Sequence, residues 1–224
     1  MSSSRRPQTK RRLDTVSSSN AAERILDAAL ALITRRGDAH VTMAQIARAA
    51  RVSRQAVYLH FADRAALMVG VARHLDAGLG LPAEIQRIAD ARSGADMVEA
   101  MVSLQTRTNP SLWAVARAVD AVRRTDAAAE RAWQDRLGAR LAGCRHIVAR
   151  LESEGNLRPD LDASSAADVL WTITSLRTWE DLVLERGWSP QTYQRHVTRL
   201  LLETLTRGAR TAVPHAQRVH RNLE

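Results

Sequence analysis

Residues 41–61, VTMAQIARAARVSRQAVYLHF, constrain the chain most, because they hold two short helical patterns with room for only a tight turn between them. Thr42 stands at an N-cap position, its hydroxyl placed to satisfy an amide of the first turn. Ile46, Ala47 and Ala50 follow at helical spacing as an inward face. Arg51-Val52 makes the turn, Ser53 caps the second helix, and Val57 points back to the first. Ser53, Arg54, Gln55, Tyr58 and His60 then form one polar, hydrogen-bonding surface. The residues near the second helix start face outward, where a DNA major groove admits a helix.

The segment continues into FADRAALMVGVA, and Thr42, Ile46, Ala47, Ala50, Val52, Ser53, Tyr58, His60, Phe61 and Leu67 together match a family pattern. By these residues the first third of the chain resembles the tetracycline-repressor (TetR) family of transcriptional regulators. Three positions depart from the pattern: Arg51 replaces the usual turn glycine, Gln55 a small residue of the recognition helix, and Arg64 the usual lysine of the fourth helix. Arginine does not take a positive φ as cheaply as glycine, so the turn is expected to carry strain or another local geometry. The resemblance implies Thr42 and Tyr58 as phosphate contacts and Arg54, Gln55 and His60 as base-edge or groove contacts beside Ser53. It also implies Arg64 as a phosphate clamp at the fourth helix start, and a repressor that occludes a promoter. Arg54 is the expected guanine reader, since a guanidinium fork meets O6 and N7 together.

A helical hairpin with buried Ile and Ala also occurs as a plain structural pair, and the charge distribution argues against that reading here. Residues 1–64 carry 12 Lys+Arg against 5 Asp+Glu, whereas residues 65–224 carry 21 against 19. Most of the net charge of +9 therefore lies beside the motif. A basic face of this kind is the electrostatic footprint of a phosphate backbone, bound through counterion release.

At 224 residues and 45% apolar content, the chain can build a small N-terminal domain and a larger one behind it. The expected divisions are a disordered basic arm over 1–19, the helix-turn-helix domain over 20–66, an effector-binding and dimerisation domain over 67–210, and a flexible tail over 211–224. Residues 1–20 are rich in Ser and Arg and nearly free of large apolar side chains, so they form no core of their own. Their Arg/Ser bias superficially resembles an organelle transit peptide, which the prokaryotic family argues against. Arg5, Arg6, Lys10, Arg11 and Arg12 there are candidates for minor-groove or phosphate contacts. Cys144 is the single cysteine, which excludes an intramolecular disulfide and a cysteine zinc cluster and fits a reducing cytoplasm. Its neighbours Leu141, Ile147 and Val148 make it a small core residue. No run of about 18 apolar residues is present, so no membrane span is predicted.

The rest of the chain reads as helices, and the fold class is all-α. Asn20 can cap a first helix with Ile25, Leu26, Ala29, Leu30 and Ile33 on one face and Gly37 at its stop. Asp63 can begin a fourth helix bearing Leu67, Met68, Val71 and Leu75, the natural lever between the domains. Further helices are expected over 83–91, 95–108, 111–122, 126–154, 163–186 and 190–208. The last two are joined by Arg186-Gly187-Trp188-Ser189-Pro190, with Ser189 as cap and Pro190 at the first helical position, and should pack antiparallel. Leu170, Ile173, Leu182, Val197, Leu200 and Leu201 belong to more apolar surface than one hairpin can bury. The stretch ADVLWTITSLRTWEDLVLERGWSPQTY also resembles the C-terminal region of many family members, where this pair meets its symmetry mate in a four-helix bundle. The resemblance thus implies a homodimer, with those six residues at its interface, on a palindromic or near-palindromic double-stranded DNA operator.

All five tryptophans follow residue 110. Core packing is their commoner use, but an indole also offers a wide apolar wall with one donor, as an effector cavity requires. Trp113, Trp133, Trp171 and Arg117, on the middle helices, are the candidates. The resemblance adds that family members commonly bind a small molecule there, shift the fourth helix and lose DNA affinity. Catalysis finds no support: there is no phosphate-cradling glycine loop, no H-E-x-x-H, and no nucleophile, base and orienting trio. Cys144 and His146, two residues apart on a helix, face different ways, and His40, His74, His196, His215 and His220 show no metal-ligand spacing. No cofactor is expected.

Overall fold

The computed structural model describes residues 8–36 and 41–207, with side chains from Asn20 to Arg35 and from Val41 onward. Every regular element among them is helical: α1 (Gln8–Arg36), α2 (Met43–Ala49), α3 (Arg54–His60), α4 (Arg64–Gly78), α5 (Leu81–Ala89), α6 (Gly94–Arg123), α7 (Ala127–Ser153), α8 (Ala163–Ile173), α9 (Leu176–Trp179) and α10 (Pro190–Leu205). α9 runs directly into a π-helical turn, Glu180–Glu185. The expected all-α class holds, with only an isolated β-bridge between Leu157 and Thr206.

Two cores organise these helices. In the first, Ile25, Ala29 and Ile33 of α1 recur at spacings of three and four and pack with Ile46 and Ala47 of α2, Val57 of α3 and Leu67, Met68 and Val71 of α4. Ala114, Val115, Ala118 and Val119 of α6 close the same cluster, so the head rests directly on the larger bundle. In the second, Met97, Val98 and Val102 of α6 meet Cys144, Ile147, Val148 and Leu151 of α7, Leu170 of α8, and Tyr193, Val197, Leu201 and Leu205 of α10. Trp179 stands edge-on to Tyr193 in this core, with ring centroids 4.9 Å apart. The division expected at residue 66 falls inside α4, whose apolar face completes the first core.

The structure corrects three helix boundaries. α1 begins at Gln8 rather than after Asn20, so residues 8–19, expected as a disordered arm, continue the helix. From Gln8 to Arg36 there is neither Gly nor Pro to stop it. Residues 1–7, Gly37, His40 and the tail 211–224, with His215 and His220, lie outside the described residues, as do the side chains of Lys10, Arg11 and Arg12.

α6 runs unbroken through Pro110, where two helices had been expected. Pro110 itself is exposed, while buried residues on both sides, Val102 and Leu104 before it and Ala114 and Val115 after it, hold the two halves in line. Tertiary packing there outweighs the roughly 3 kcal/mol that an interior proline costs.

The helix expected over 163–186 is broken after Ile173. Thr174 ends α8, and Ser175 caps α9 by accepting from the Thr178 amide at 3.2 Å. The joint before α10 is as expected: Gly187 has φ 71°, Ser189 accepts from the Thr192 amide, and Pro190 opens the helix.

Candidate nucleic-acid interface

The reading head is assembled by local hydrogen bonds that its sequence prescribes. Thr42 and Gln45 form a reciprocal capping box: the Thr42 amide donates to Gln45 Oε1 at 2.8 Å, and the Gln45 amide donates back to Thr42 Oγ1 at 3.3 Å. α2 ends at Ala49 with Ala50 as its C-cap, and the next residue, Arg51, takes φ 55°, the left-handed conformation that the missing glycine foreshadowed. The Val52 amide then reaches back to the Ala47 carbonyl at 3.0 Å. Ser53 caps α3 by accepting from the Ala56 amide at 3.0 Å, and Val57 is fully buried against α1 and α2. Asp63 caps α4 through the Ala66 amide at 2.7 Å.

This scaffold presents Ser53, Arg54, Gln55 and Tyr58 to solvent on one side of α3. The Arg54 guanidinium lies 5.6 Å from the Tyr58 ring centroid, with Nη2 donating to the Tyr58 hydroxyl at 3.5 Å, so the two long side chains support each other in the open. Thr42 is exposed as well, although its hydroxyl already serves the cap.

Two expected contacts sit differently. His60 is half-buried beside Phe61. Arg64 is half-buried too, and its Nη1 donates to the carbonyl of Val41, one residue ahead of the α2 cap. Arg64 therefore ties the start of α4 to the start of α2. Leu59, by contrast, escaped the sequence reading: it is 80% exposed, an apolar side chain standing among the polar ones. Its signal lies in the helical wheel, since it stands two residues, about 200°, from the buried Val57.

Behind the head, a cavity of about 600 Å³ opens between α4, α5, α6 and α7. Of the four residues expected there, only Trp133 reaches it; Trp113, Arg117 and Trp171 do not. Each of the three indoles has a guanidinium over it: Arg117 on Trp113, Arg123 on Trp133 and Arg140 on Trp171. Arg117 is further engaged with Glu180 at 3.5 Å. The walls are instead mainly aliphatic and thioether side chains, including Met97, Met101, Leu104 and Ile88, with Gln105, Thr108, Asp135, Arg136, Arg140 and His146 among the polar insertions. Sequence periodicity cannot separate such residues from ordinary core, because both face inward.

α4 contributes Val69, Ala72, Arg73 and Asp76 to the cavity. Asp76 is held by Arg136 of α7 through two hydrogen bonds of 2.6 and 2.8 Å. At its other side α4 is joined to α1 by His74 Nε2 and Asp27 Oδ1, 2.7 Å apart. Cys144 is buried, and burial pushes its thiol up to about 11, so it stays protonated and unreactive. His146 faces the cavity, apart from Cys144 as their spacing requires. Among the described residues no group of His, Cys, Asp and Glu has the makings of a metal site, and no helix is long and apolar enough to cross a membrane.

Comparison with known proteins agrees with this geometry. The pattern of the bacterial regulatory proteins of the tetR family matches residues 25–71, the segment from α1 into α4. An uncharacterized HTH-type transcriptional regulator of Mycobacterium tuberculosis is 30% identical over 163 residues, spanning 70% of this chain and 72% of that protein. The chain belongs to the TetR family. It is thus a transcriptional regulator with a helix-turn-helix DNA-binding unit. Solved structures share the fold at lower identity. A transcriptional regulator from Saccharomonospora viridis, solved in complex with choline, superposes with a TM-score of 0.72 at 20% identity, over 84% of this chain and 98% of that one. NalD of Pseudomonas aeruginosa, the secondary repressor of the MexAB-OprM multidrug efflux pump, gives 0.62 at 23% identity, over 86% and 99%.

Proposed function

We propose that the protein is a repressor that occupies a palindromic or near-palindromic operator as a homodimer in the cytoplasm, and leaves it when a small molecule enters the cavity. The observation that carries this reading is the double membership of α4. Leu67, Met68 and Val71 belong to the core of the reading head, while Val69, Ala72, Arg73 and Asp76 of the same helix line the cavity. An occupant that prefers a displaced α4 moves the head with it and shifts the equilibrium away from DNA. The shift can be no larger than the ligand's differential affinity for the two arrangements. NalD is a repressor and the S. viridis regulator holds choline, and both share this fold; they lend the reading precedent.

At the DNA, Arg54 and Gln55 read base edges, Tyr58 and Thr42 meet phosphates, and Leu59 is available for the methyl group of a thymine. Ser53 and His60 flank this surface. Arg64 acts on affinity through the α2 and α4 starts as well as through its charge.

Selection of the full chain on random DNA duplexes at moderate salt tests the reading, with Arg54→Ala run in parallel. A two-fold symmetric site recovered by the wild type and lost or blurred by the variant is expected; that site then serves for screening compounds that release the protein. Salt-sensitive binding without any recovered sequence would overturn sequence-specific regulation. A symmetric site from which no compound releases the protein would overturn only the effector.

A further inference from the structure

The charged groups around the cavity are unequally answered. Asp76 and Arg136 neutralise each other through paired hydrogen bonds. Arg73 and Asp135 are exposed, where water screens them. Arg140 differs from all of these. It is partly buried in the cavity wall, and its guanidinium lies over the Trp171 indole, 4.5 Å from the ring centroid.

Two of its N–H groups donate to main-chain carbonyls at the end of α8: Nη2 to Trp171 and Nη1 to Thr174, the latter at 3.3 Å. These carbonyls carry the partial negative charge of a helix C-terminus, which is less than one full counter-charge. The Nε–H is buried without a partner. No described carboxylate bears on this guanidinium. The neighbouring groups that do are the Cys144 thiol and the Tyr193 phenol, and burial pushes these up to about 11 and about 12, so both are neutral at physiological pH. An arginine keeps its proton even when burial lowers its affinity for it. The cavity wall therefore holds a positive charge that the protein does not neutralise, set in surroundings that are otherwise largely apolar.

Building on the effector role proposed for the cavity, we infer that its occupant is a small amphipathic anion, a carboxylic acid with an apolar body, whose carboxylate pairs with Arg140. A carboxylate can accept from the unpartnered Nε–H and supplies the missing counter-charge in a region of low dielectric. The body of the acid then covers the partly buried Ile88, Met101 and Leu112 rather than leaving them to water. A cationic amphiphile meets the opposite situation. Asp76 is already paired and Asp135 is solvated, while the one poorly compensated charge repels it. The choline found in the S. viridis regulator is thus not the chemistry this wall is built for.

Calorimetric titration of the full chain with decanoate, decanamide and decyltrimethylammonium, each below its micellar concentration, tests the charge with the apolar body held constant. Wild type and Arg140→Lys are expected to bind decanoate at least about tenfold more tightly than decanamide. Arg140→Gln is expected to lose that preference while retaining the affinity for decanamide. Because Arg140 also anchors the end of α8, thermal unfolding of both variants is followed alongside; the preference between acid and amide, read within one variant, is insensitive to a general loosening of the fold. Met101→Trp, which narrows the cavity, is expected to weaken every probe.

Equal binding of the acid and the amide, or tighter binding of the ammonium compound, overturns the anion while leaving the cavity as an effector site. Decanoate binding that neither Arg140→Gln nor Met101→Trp alters places the acid elsewhere and overturns the inference. Failure of all three probes to bind wild-type protein of normal thermal stability overturns it as well, and the effector reading is then judged separately by compound release from the selected operator.

Discussion

Arg54 and Arg64 are both arginines of the reading head, yet their surroundings give them different work. Arg54 is exposed at the first position of α3 and braced by Tyr58, which suits the base reading proposed for it. Replacing it with Ala should cost about 1–3 kcal/mol at its preferred base pair and little at sites already altered there. Arg64 answers the Val41 carbonyl, so Arg64→Ala should weaken binding to every sequence alike and also lower the melting temperature of the head. Titrating both variants against the selected operator and its single-base changes checks this pair; equal losses on all sequences for Arg54→Ala would remove its reading role. At Arg51, the left-handed φ of 55° costs a non-glycine residue roughly 1–2 kcal/mol, part of which glycine returns as extra chain entropy. Arg51→Gly should therefore raise stability by about 0.5–1 kcal/mol in thermal unfolding. The same variant lowers nonspecific, salt-dependent DNA binding by removing an exposed charge.

Among the elements, the start of α6 is fitted to the end of α7 by a glycine and a carboxylate. A Cβ on Gly94 would lie 2.7 Å from two side-chain atoms of Leu151, which is why the first turn of α6 can approach α7 so closely. Glu154, just past the end of α7, accepts the Gly94 amide at 3.0 Å. The Arg150 guanidinium, and then that amide, hold its carboxyl below the ordinary carboxylate value. A carboxyl depressed in the folded state stabilises at pH above its unfolded value of about 4.5, and this contribution is lost as pH falls through the lower folded value. Glu154→Gln should then unfold at a lower temperature than wild type at neutral pH, with the gap closing once the pH is well below 4.5. A gap that persists unchanged into acid would show that the carboxylate charge is not its source. α6 also shows the limit of reading helices one at a time: Asn109-Pro110 carries a genuine stop signal, and it is overridden only because buried residues on both sides belong to cores that extend beyond α6.

For the whole molecule, the proposed homodimer needs apolar residues that face outward. Leu200 is 48% exposed and Leu184, in the π-helical turn, 50% exposed, whereas the adjacent Leu201 is fully buried in the second core. Leu170 and Val197, expected at a dimer surface with Leu201, are spent in that core too; Ile173 and Leu182 lie half-buried at its edge. Leu184→Glu combined with Leu200→Glu should sediment as a monomer with a nearly unchanged melting temperature. Leu201→Ala should instead cost about 2–5 kcal/mol of stability through the void it leaves. A doubly charged variant that stays dimeric would move the interface away from α10 and the turn before it. Dimerisation bears on DNA affinity as well, because a monomer offers one recognition helix to one half-site.

Residues 41–67 announce their structure almost completely, since an N-cap, a helical apolar face and a turn each depend on residues within about four positions of one another. Thr42, Ser53 and Asp63 cap the helices that the sequence assigns to them, and Arg51 takes the positive φ that an absent glycine leaves behind. The all-helical class follows from the same local periodicity. The cavity and the surface for a second subunit depend on residues far apart in the chain. Arg140 lines the cavity while Trp113 does not, and Leu200 is exposed while Leu201 is buried, because helices α4 to α10 choose their facing sides only when packed together. An apolar side chain carries the same sequence signal whether it meets a core, a ligand or a partner; tertiary packing alone decides which of the three it touches.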